Sequence, residues 1–305
     1  MHRLAALALL GITLTASRGF CGSASDTPSD TPPSFKIMAY NIHGAGPVSR
    51  GDDGKKLLRD YCNNRRMPEI YAAEFAKLHL DAITLEEAES KQFVAELARK
   101  LGWNYAYFPG GWQDPDHGWP EGIPTAILTP HKIIEQTNCP LVTHEIRPKD
   151  LFTRGYGRAV IDTGHEKLTL IVAHLLPSWT NTTHIRLGEI SEILALAQKE
   201  RAAGRSVLIG GDMNHRPDTP EYKAWMDGKL LDTLAAKGHR DVLTCPTQKP
   251  EERIDYIFAL GPITQRLLQA DALTIPPFAM PAGDSASYAL SDHLPVFAEF
   301  APPAK

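Results

Sequence analysis

Val207-Leu208-Ile209-Gly210-Gly211-Asp212-Met213-Asn214-His215-Arg216-Pro217 is the stretch on which the reading of this chain turns. Ser206 to Asp212 is a short apolar run of the kind that forms a strand buried inside an α/β sheet, and it ends on two glycines, a carboxylate and an amide. Three other runs end in the same way. Phe35 to Asn41 closes on Asn41, Asp81 to Leu85 leads into Glu86 and Glu87, and Leu168 to His174 closes on His174. Polar groups gathered at strand ends are where an open α/β sheet places its site. Helices are expected between these strands. Tyr71, Phe75 and Leu78 form one apolar stripe, Phe93, Val94, Leu97, Ala98 and Leu101 a second, and Ile190, Ile193, Leu194 and Ala197 a third. Thr219 before Pro220 marks a further helix start. Each half of the chain runs strand, amide or imidazole, helix, strand, carboxylate, a symmetry of pattern without residue identity.

The chain has 305 residues, 43 % hydrophobic and 22 % charged, which excludes disorder as its main state. Lys and Arg total 32 against 36 Asp and Glu, a formal charge of -4, so it is neither a basic nucleic-acid coat nor a polybasic membrane binder. A nuclease stays open, because a bound metal ion can supply the local positive field. The first residues read as a secretory leader, 1–24, with His2 and Arg3, an apolar run Leu4 to Leu14 too short for a stable span, and the small residues Gly22-Ser23-Ala24. The competing reading is a lipoprotein anchored at Cys21, against which stands the bulky Phe20. Residues 25–34, rich in Pro, Ser, Thr and Asp, read as a linker. No later linker interrupts residues 35–305, so one domain is expected, exported to the periplasm or the exterior, monomeric and without a membrane span. Loss of 1–24 would remove Arg3 and Arg18 and no acidic residue, making the remainder more negative still. Cys62, Cys139 and Cys245 lack the close paired spacings of a zinc site and read as buried thiols, or as one disulfide and a leftover.

Two more segments complete the pattern. RIDYIFAL places Arg253 and Asp255 at the head of a β-prone run, and LSDHLPVFAEF places Asp292 and His293 before a last alternating strand. The strand ends thus offer carboxylates at Glu87, Asp212, Asp255 and Asp292, amides at Asn41 and Asn214, and imidazoles at His174 and His293. Such oxygen-rich donors suit Mg²⁺ or Mn²⁺ rather than zinc, and a histidine beside a carboxylate can serve as an oriented general base.

The ordered set N-I-H, L-E-E, A-H-L-L-P, G-D-M-N, R-I-D-Y-I-F and S-D-H-L-P-V resembles the endonuclease/exonuclease/phosphatase superfamily over about Phe35 to Phe300. That group contains deoxyribonuclease-I-like nucleases, abasic-site endonucleases, neutral sphingomyelinases and inositol-polyphosphate 5-phosphatases. This chain departs from the family at Glu86, where Gln is usual, and at Met213, where Phe is usual. The resemblance implies a four-layer α/β sandwich, two packed and mainly antiparallel mixed sheets flanked by helices, and metal-dependent hydrolysis of a phosphate ester. It makes Glu87 the principal Mg²⁺ or Mn²⁺ ligand, with Asn41 close by and Asp292 within reach. His293 becomes the base that activates water, Asp255 the holder of its tautomer, and Asp212 and Asn214 the pair that orients the nucleophile and binds phosphate. His174 resembles the second histidine of the nuclease-like and sphingomyelinase-like branches. Asn41, Arg158 and Arg253 are the expected substrate contacts.

Each assignment has a structural rival. His174 can be a satisfied core histidine, Asp292-His293 a turn, Arg253-Asp255 a surface ion pair, and Glu87 a helix-terminal carboxylate. Coincidence would have to recur at every motif in one order for all of these to hold together. Strand alternation turns Glu86 to the face opposite Glu87, which makes it structural. Lys55, Lys56, Arg59, Arg65 and Arg66 form either a solvated face or a phosphate-gripping loop. The aromatic stretch Trp103 to Trp119 is in part strand, and Trp112 and Trp119 are candidates to stack on bases, sugars or lipid headgroups. Arg154 and His43 are further candidates to line the cleft. The expected activity is hydrolysis of a phosphodiester, in nucleic acid, a lipid headgroup or a small molecule. The alternatives are a sphingomyelinase-like lipid-surface enzyme, a phosphomonoesterase and a non-catalytic phosphate-ligand binder.

Overall fold

The structure, a computed structural model, describes residues 33–62, 65–109, 123–141, 155–177, 182–280, 283 and 287–304. They fall in one compact unit, Pro32–Lys305. The leader, residues 25–32 of the linker, Cys21, Trp112, Trp119 and Arg154 lie outside the described residues.

In chain order the elements begin with strands β1 (Phe35–Asn41) and β2 (Val48–Ser49), helices α1 (Gly51–Cys62) and α2 (Met67–Ala76), and β3 (Ala82–Glu86). Next come α3 (Lys91–Leu101), β4 (Asn104–Phe108), β5 (Thr125–Thr129), β6 (Lys132–Pro140), β7 (Gly155–Asp162) and β8 (Lys167–His174). Then follow α4 (Thr183–Ala202), β9 (Ser206–Asp212), α5 (Pro220–Asp227), β10 (Leu231–Asp232) and α6 (Thr233–Ala236). The last are β11 (Asp255–Leu260), β12 (Leu267–Ala272), β13 (Tyr288–Ala289) and β14 (Val296–Phe300).

Two six-stranded sheets form the centre, in the orders β12-β14-β1-β3-β5-β4 and β10-β11-β9-β8-β7-β6. Each is antiparallel except at one pair, β1 with β3 and β8 with β9. A parallel pair needs a crossover, and the striped sequences between the strands supply it as helices. In the first pair Asn41 stands opposite Glu86, and in the second His174 stands opposite Asp212. The half-chain symmetry of the sequence is therefore a symmetry of register.

The period of two along each strand divides three apolar layers. Ile37, Ala39, Ala82, Leu168, Leu170, Val172, Leu208, Ile257 and Ala259 meet between the sheets. The alternate residues face outward, where Met38, Ile83 and Leu85 pack on α2 and α3, and Ile171, Ile209, Tyr256 and Phe258 pack on α4 and α5. A helix, sheet, sheet, helix sandwich results, as the sequence implied. Full burial of each Ile or Leu contributes roughly 1.5–3 kcal/mol, so the layers fix which face every strand presents. Caps set the helix starts: the Thr219 hydroxyl accepts from Tyr222 N–H ahead of Pro220, and Ser90 does the same for Phe93.

Two glycines allow close backbone approach just before Asp212, Gly210 to the facing sheet and Gly211 to the neighbouring strand β8. A Cβ at Gly210 would sit 2.4 Å from Thr84 Oγ1 on the facing sheet, and at Gly211, with φ +155°, only 1.9 Å from the Ala173 carbonyl oxygen. No side chain fits either place, which accounts for the double glycine in front of the carboxylate.

Candidate functional site

Extending the inter-sheet alternation past the apolar residues reaches the polar ones. Ile37 and Ala39 lead to Asn41, Ala82 and Thr84 to Glu86, Leu170 and Val172 to His174, Leu208 and Gly210 to Asp212, and Ile257 back to Asp255. β11 runs antiparallel to β9, so its first residue, Asp255, pairs with the last of β9, Asp212. The repeat that builds the core therefore delivers these side chains to one end of the sandwich.

The segment before β14 closes over that end. Ser291 Oγ donates to the Asn41 carbonyl oxygen at 2.6 Å, and the His293 N–H donates to Ser291 Oγ at 3.2 Å. Tyr71 O–H donates to the Leu290 carbonyl oxygen at 2.6 Å. These bonds seat His293, whose Nδ1 lies 3.1 and 3.0 Å from the two Asp255 oxygens. His293 Nε2 points the other way, 3.9 Å from Asp212 Oδ2 and 3.6 Å from Cys245 Sγ. Asp212, Asp255 and His293 offer donor atoms within 4.8 Å of one another. His174 Nε2 is 3.4 Å from Asp212 Oδ2.

Asn41 joins the two sheets' contributions: its Nδ2 donates to Glu87 Oε1 at 3.2 Å and to Asp212 Oδ2 at 3.1 Å, while its Oδ1 accepts from the His43 N–H. The Asn214 N–H donates to Asp212 Oδ1 at 3.0 Å, and Asn214 Nδ2 donates to the Leu175 carbonyl oxygen. Asn41, His174, Asp212, Asp255 and His293 are buried, and half-buried Glu87, Asn214 and Asp292 form the rim with exposed His43. His43 Nδ1 approaches Asp292 Oδ1 at 3.9 Å. His43, Glu87 and Asn214 all adopt left-handed backbone, with φ 50°, 51° and 49°. Strained backbone of this kind persists where the surroundings over-determine it, which is common at functional sites.

Burial dominates the electrostatics. It pushes the Asp212 carboxyl up to about 7, with the His293 charge opposing and Asp255 adding to the rise. For His293 burial alone would favour the neutral ring, but the Asp255 carboxylate overrides it and holds the imidazolium well above the ordinary histidine range. Burial likewise pushes the Cys245 thiol up. Glu86 is fully buried, and neither of its oxygens has a hydrogen-bond partner. Burial, then Asp255 and Asp212, push its carboxyl far above the usual range; the Thr84 hydroxyl beside it eases this without closing a bond of normal geometry.

Three expectations need correction. Glu86 does not turn away from the site: the strand ends at Glu86, Glu87 takes left-handed backbone, and alternation does not carry across that break. Arg158 lies on the outer face of β7, opposite Ala159 and Ile161, and binds Glu200 at 2.9 Å and Glu135 at 2.8 Å. Arg253 is buried with its guanidinium 2.5 and 2.6 Å from the Asp232 oxygens and 4.6 Å from the centre of the Tyr256 ring. Neither arginine faces the strand-end cluster. The cations of α1 lie on its solvated face, Lys55 paired with Asp52 and Lys56 with Asp60, while Arg66 pairs with Glu69 and Glu96. Cys62, Cys139 and Cys245 are separate thiols. Sequence reasoning did not place Cys245 beside His293, because the two segments meet through backbone bonds between distant loops, from Leu294 N–H to the Thr244 carbonyl oxygen and from Thr247 N–H to the Asp292 carbonyl oxygen.

The gathered donors are hard oxygens and imidazoles: Asn41, Glu86, Glu87, Asp212, Asp255, Asp292, His174 and His293. No lysine or arginine among the described residues balances these carboxylates within the cluster. An orphaned buried carboxylate beside further carboxylates fits a divalent cation with oxygen preference. A surface cavity of about 700 Å³ lined by Arg201, Gly204, Leu260 and Pro262 lies at the other end of β9 and β11 and contains none of these donors.

A sequence profile described as Endonuclease/Exonuclease/phosphatase family matches residues 38–293. Among solved structures, the catalytic domain of human Nocturnin with bound sulfate is 19 % identical, with 90 % of this chain and 97 % of that one covered at a TM-score of 0.61. TDP2 from D. rerio, complexed with a single-strand DNA product, is 18 % identical over 88 % and 99 % at 0.59. An endonuclease/exonuclease/phosphatase family protein from Leptotrichia buccalis is 15 % identical over 87 % and 99 % at 0.62. No curated protein sequence matches significantly.

Proposed function

This chain belongs to the Endonuclease/Exonuclease/phosphatase family, and from that premise we propose that it is a divalent-metal-dependent phosphodiesterase. The observation that carries the reading is the buried Asp255–His293 pair, with Nδ1 held by the carboxylate at 3.0 Å and Nε2 directed at the carboxylate and amide cluster.

A phosphodiester is an anion that repels hydroxide, so its hydrolysis needs a base for water and positive or amide groups for the charge that builds on phosphorus oxygens. His293 Nε2 accepts the proton of the attacking water, and Asp255 fixes the tautomer by accepting from Nδ1–H. Asp212, held by the Asn41 amide and the Asn214 N–H, orients that water from the opposite side. Asn214 and His174 carry the N–H donors that meet phosphate oxygens, and Asn41, whose two amide hydrogens are held by Glu87 and Asp212, sets the position of both carboxylates. Glu87, Asn41 and Asp292 are the residues that would hold Mg²⁺ or Mn²⁺, which when bound supplies positive charge against the phosphate and lowers the proton affinity of the groups beside it. The buried acid excess requires such a charge, since a carboxylate cluster alone would expel the substrate.

The Nocturnin domain with sulfate and the TDP2 complex with a DNA product support an anionic ligand on this fold. The leader-like residues 1–24 support export, and residues 25–305, with the catalytic domain at 35–305, are then the secreted chain. No helix among the described residues is long and apolar enough to cross a membrane. The test is a panel of DNA, RNA, sphingomyelin, phosphoinositides and an activated diester, each with Mg²⁺, Mn²⁺ or chelator. Turnover of a diester with metal that stops with chelator supports the proposal. No turnover of any class by folded, metal-loaded protein would leave a non-catalytic binder.

A further inference from the structure

The Asp255–His293 pair and the Asn41–Glu87–Asp212 bridge leave the buried carboxyl of Glu86 unused. Glu86 stands opposite Asn41 in the register of β1 and β3, on the inter-sheet face, and is wholly inaccessible to solvent. Both its oxygens lack hydrogen-bond partners, and the charged groups acting on it are Asp255, Asp212 and His293. Its surroundings are the inter-sheet layer below and these acids above, with no lysine or arginine reaching it among the described residues. A carboxylate buried without a hydrogen bond is among the costliest side chains a core can hold, whereas Gln has nearly the same shape and no charge. A chain that places Glu here keeps a penalty that an isosteric amide would remove, and it does so beside a second carboxylate, Glu87, that is held by Asn41.

We propose that Glu86 is an inner carboxylate ligand of the divalent-cation site, so that this chain binds its ion through tandem glutamates, Glu86 from the sheet interior and Glu87 from the rim. The inference rests on the metal-dependent reading above and deepens it. Glu86 adds a hard anionic oxygen donor, and a charged oxygen donor raises affinity for Mg²⁺ and Mn²⁺ more than an amide oxygen does. The ion also gives the orphaned oxygens a partner, which turns the penalty of burying them into affinity for the ion. Two consequences follow, of opposite sign. Glu86→Gln removes an unpartnered buried carboxyl from the metal-free protein, and it weakens the ion's hold.

The experiment is direct Mn²⁺ binding to the full chain, by titration calorimetry and by the loss of free-Mn²⁺ paramagnetic resonance signal, together with thermal unfolding with and without metal. Wild type, Glu86→Gln and Glu87→Gln are compared. The expected results are saturable binding by wild type and at least a tenfold weaker Kd for Glu86→Gln, with a metal-free Tm equal to or above that of wild type and a smaller rise in Tm on adding Mn²⁺. Equal Mn²⁺ affinity in wild type and Glu86→Gln would overturn the role of Glu86 and leave the metal-dependent reading standing, provided Glu87→Gln binds more weakly. Absence of Mn²⁺ and Mg²⁺ binding by wild type would overturn both. Since Glu86→Gln replaces an unpartnered buried carboxyl with an amide of nearly the same shape, folding is retained, and the metal-free Tm verifies this independently.

Discussion

Replacing Asp255 by Asn isolates the pair on which catalysis depends. Asp255 lies 3.0 Å from His293 Nδ1, and an imidazolium and a carboxylate whose charge centres are about 4 Å apart attract by about 4 kcal/mol at an effective dielectric constant of 20. That attraction raises the proton affinity of the histidine, with burial working against it. In the Asp255→Asn variant the new amide is neutral and can present either its oxygen or its NH₂ to Nδ1. The second arrangement puts the imidazole proton on Nε2, where it blocks the base. The predicted loss in kcat is about 10²–10⁴, the range supplied by a positioned general base, with KM and Mn²⁺ affinity within a few-fold of wild type. A pH profile adds a second readout. Because the base acts only when deprotonated, wild-type activity rises with pH through an apparent pKa above that of a free histidine. In Asp255→Asn the limb moves to lower pH, since the carboxylate that held the proton is gone. Steady-state kinetics on an activated diester from pH 5 to 9 at saturating Mn²⁺ would measure both. A variant that keeps kcat within fivefold of wild type, or whose limb does not move, would refute the role of the pair.

Further outcomes concern stability and charge. Arg253→Met leaves Asp232 buried without its cation and removes the contact with the Tyr256 ring, so urea denaturation is expected to show a loss of about 3–5 kcal/mol. A loss under 1 kcal/mol would place that pair outside the stabilising framework. In metal-free protein, Asp212 contributes stability below its unfolded pKa near 4 and loses it as pH rises through about 7, because its folded pKa is raised. His215, buried and pushed down to about 4, tilts the curve the other way, so the comparison is with Asp212→Asn. That variant should gain on wild type between pH 4 and 7 by on the order of 2–4 kcal/mol, and a parallel pair of curves would contradict the burial argument. Gly211→Ala drives a methyl into the Ala173 carbonyl and should leave little folded protein, whereas normal expression and an unchanged Tm would count against so close a strand approach.

Fold and site were legible to different depths. The strands that end in Asn41, His174 and Asp212 are apolar runs with a polar stop, and the observed β1, β8 and β9 end at those residues. The Thr219-Pro220 start of α5 was legible for the same reason, since a cap is a local signal. What needed the structure is side-chain direction. Counting alternation into Glu87 misplaces Glu86, because the strand ends there and Glu87 takes left-handed backbone. Its pairing with the preceding Thr84, polar on a strand whose alternate residues Ile83 and Leu85 are apolar, was the signal that places it between the sheets. The resemblance places Arg158 at the phosphate, and Arg253 is expected there with it, but their partners, Glu200 on α4 and Asp232 on β10, are distant in sequence and no local pattern marks them. Cys245 joins His293 through a turn that no periodicity marks.

The central claim is that the strand-end cluster hydrolyses a phosphodiester with a divalent ion, using His293 as base. Its most direct test is the release of alcohol from an activated phosphodiester by purified chain with Mn²⁺, run beside the same reaction with chelator and with His293→Ala. The account predicts turnover in the first, none with chelator, and a fall of about 10²–10⁴ in kcat for the variant while its Mn²⁺ affinity stays within a few-fold of wild type. Turnover that survives both chelator and the loss of His293 would contradict it.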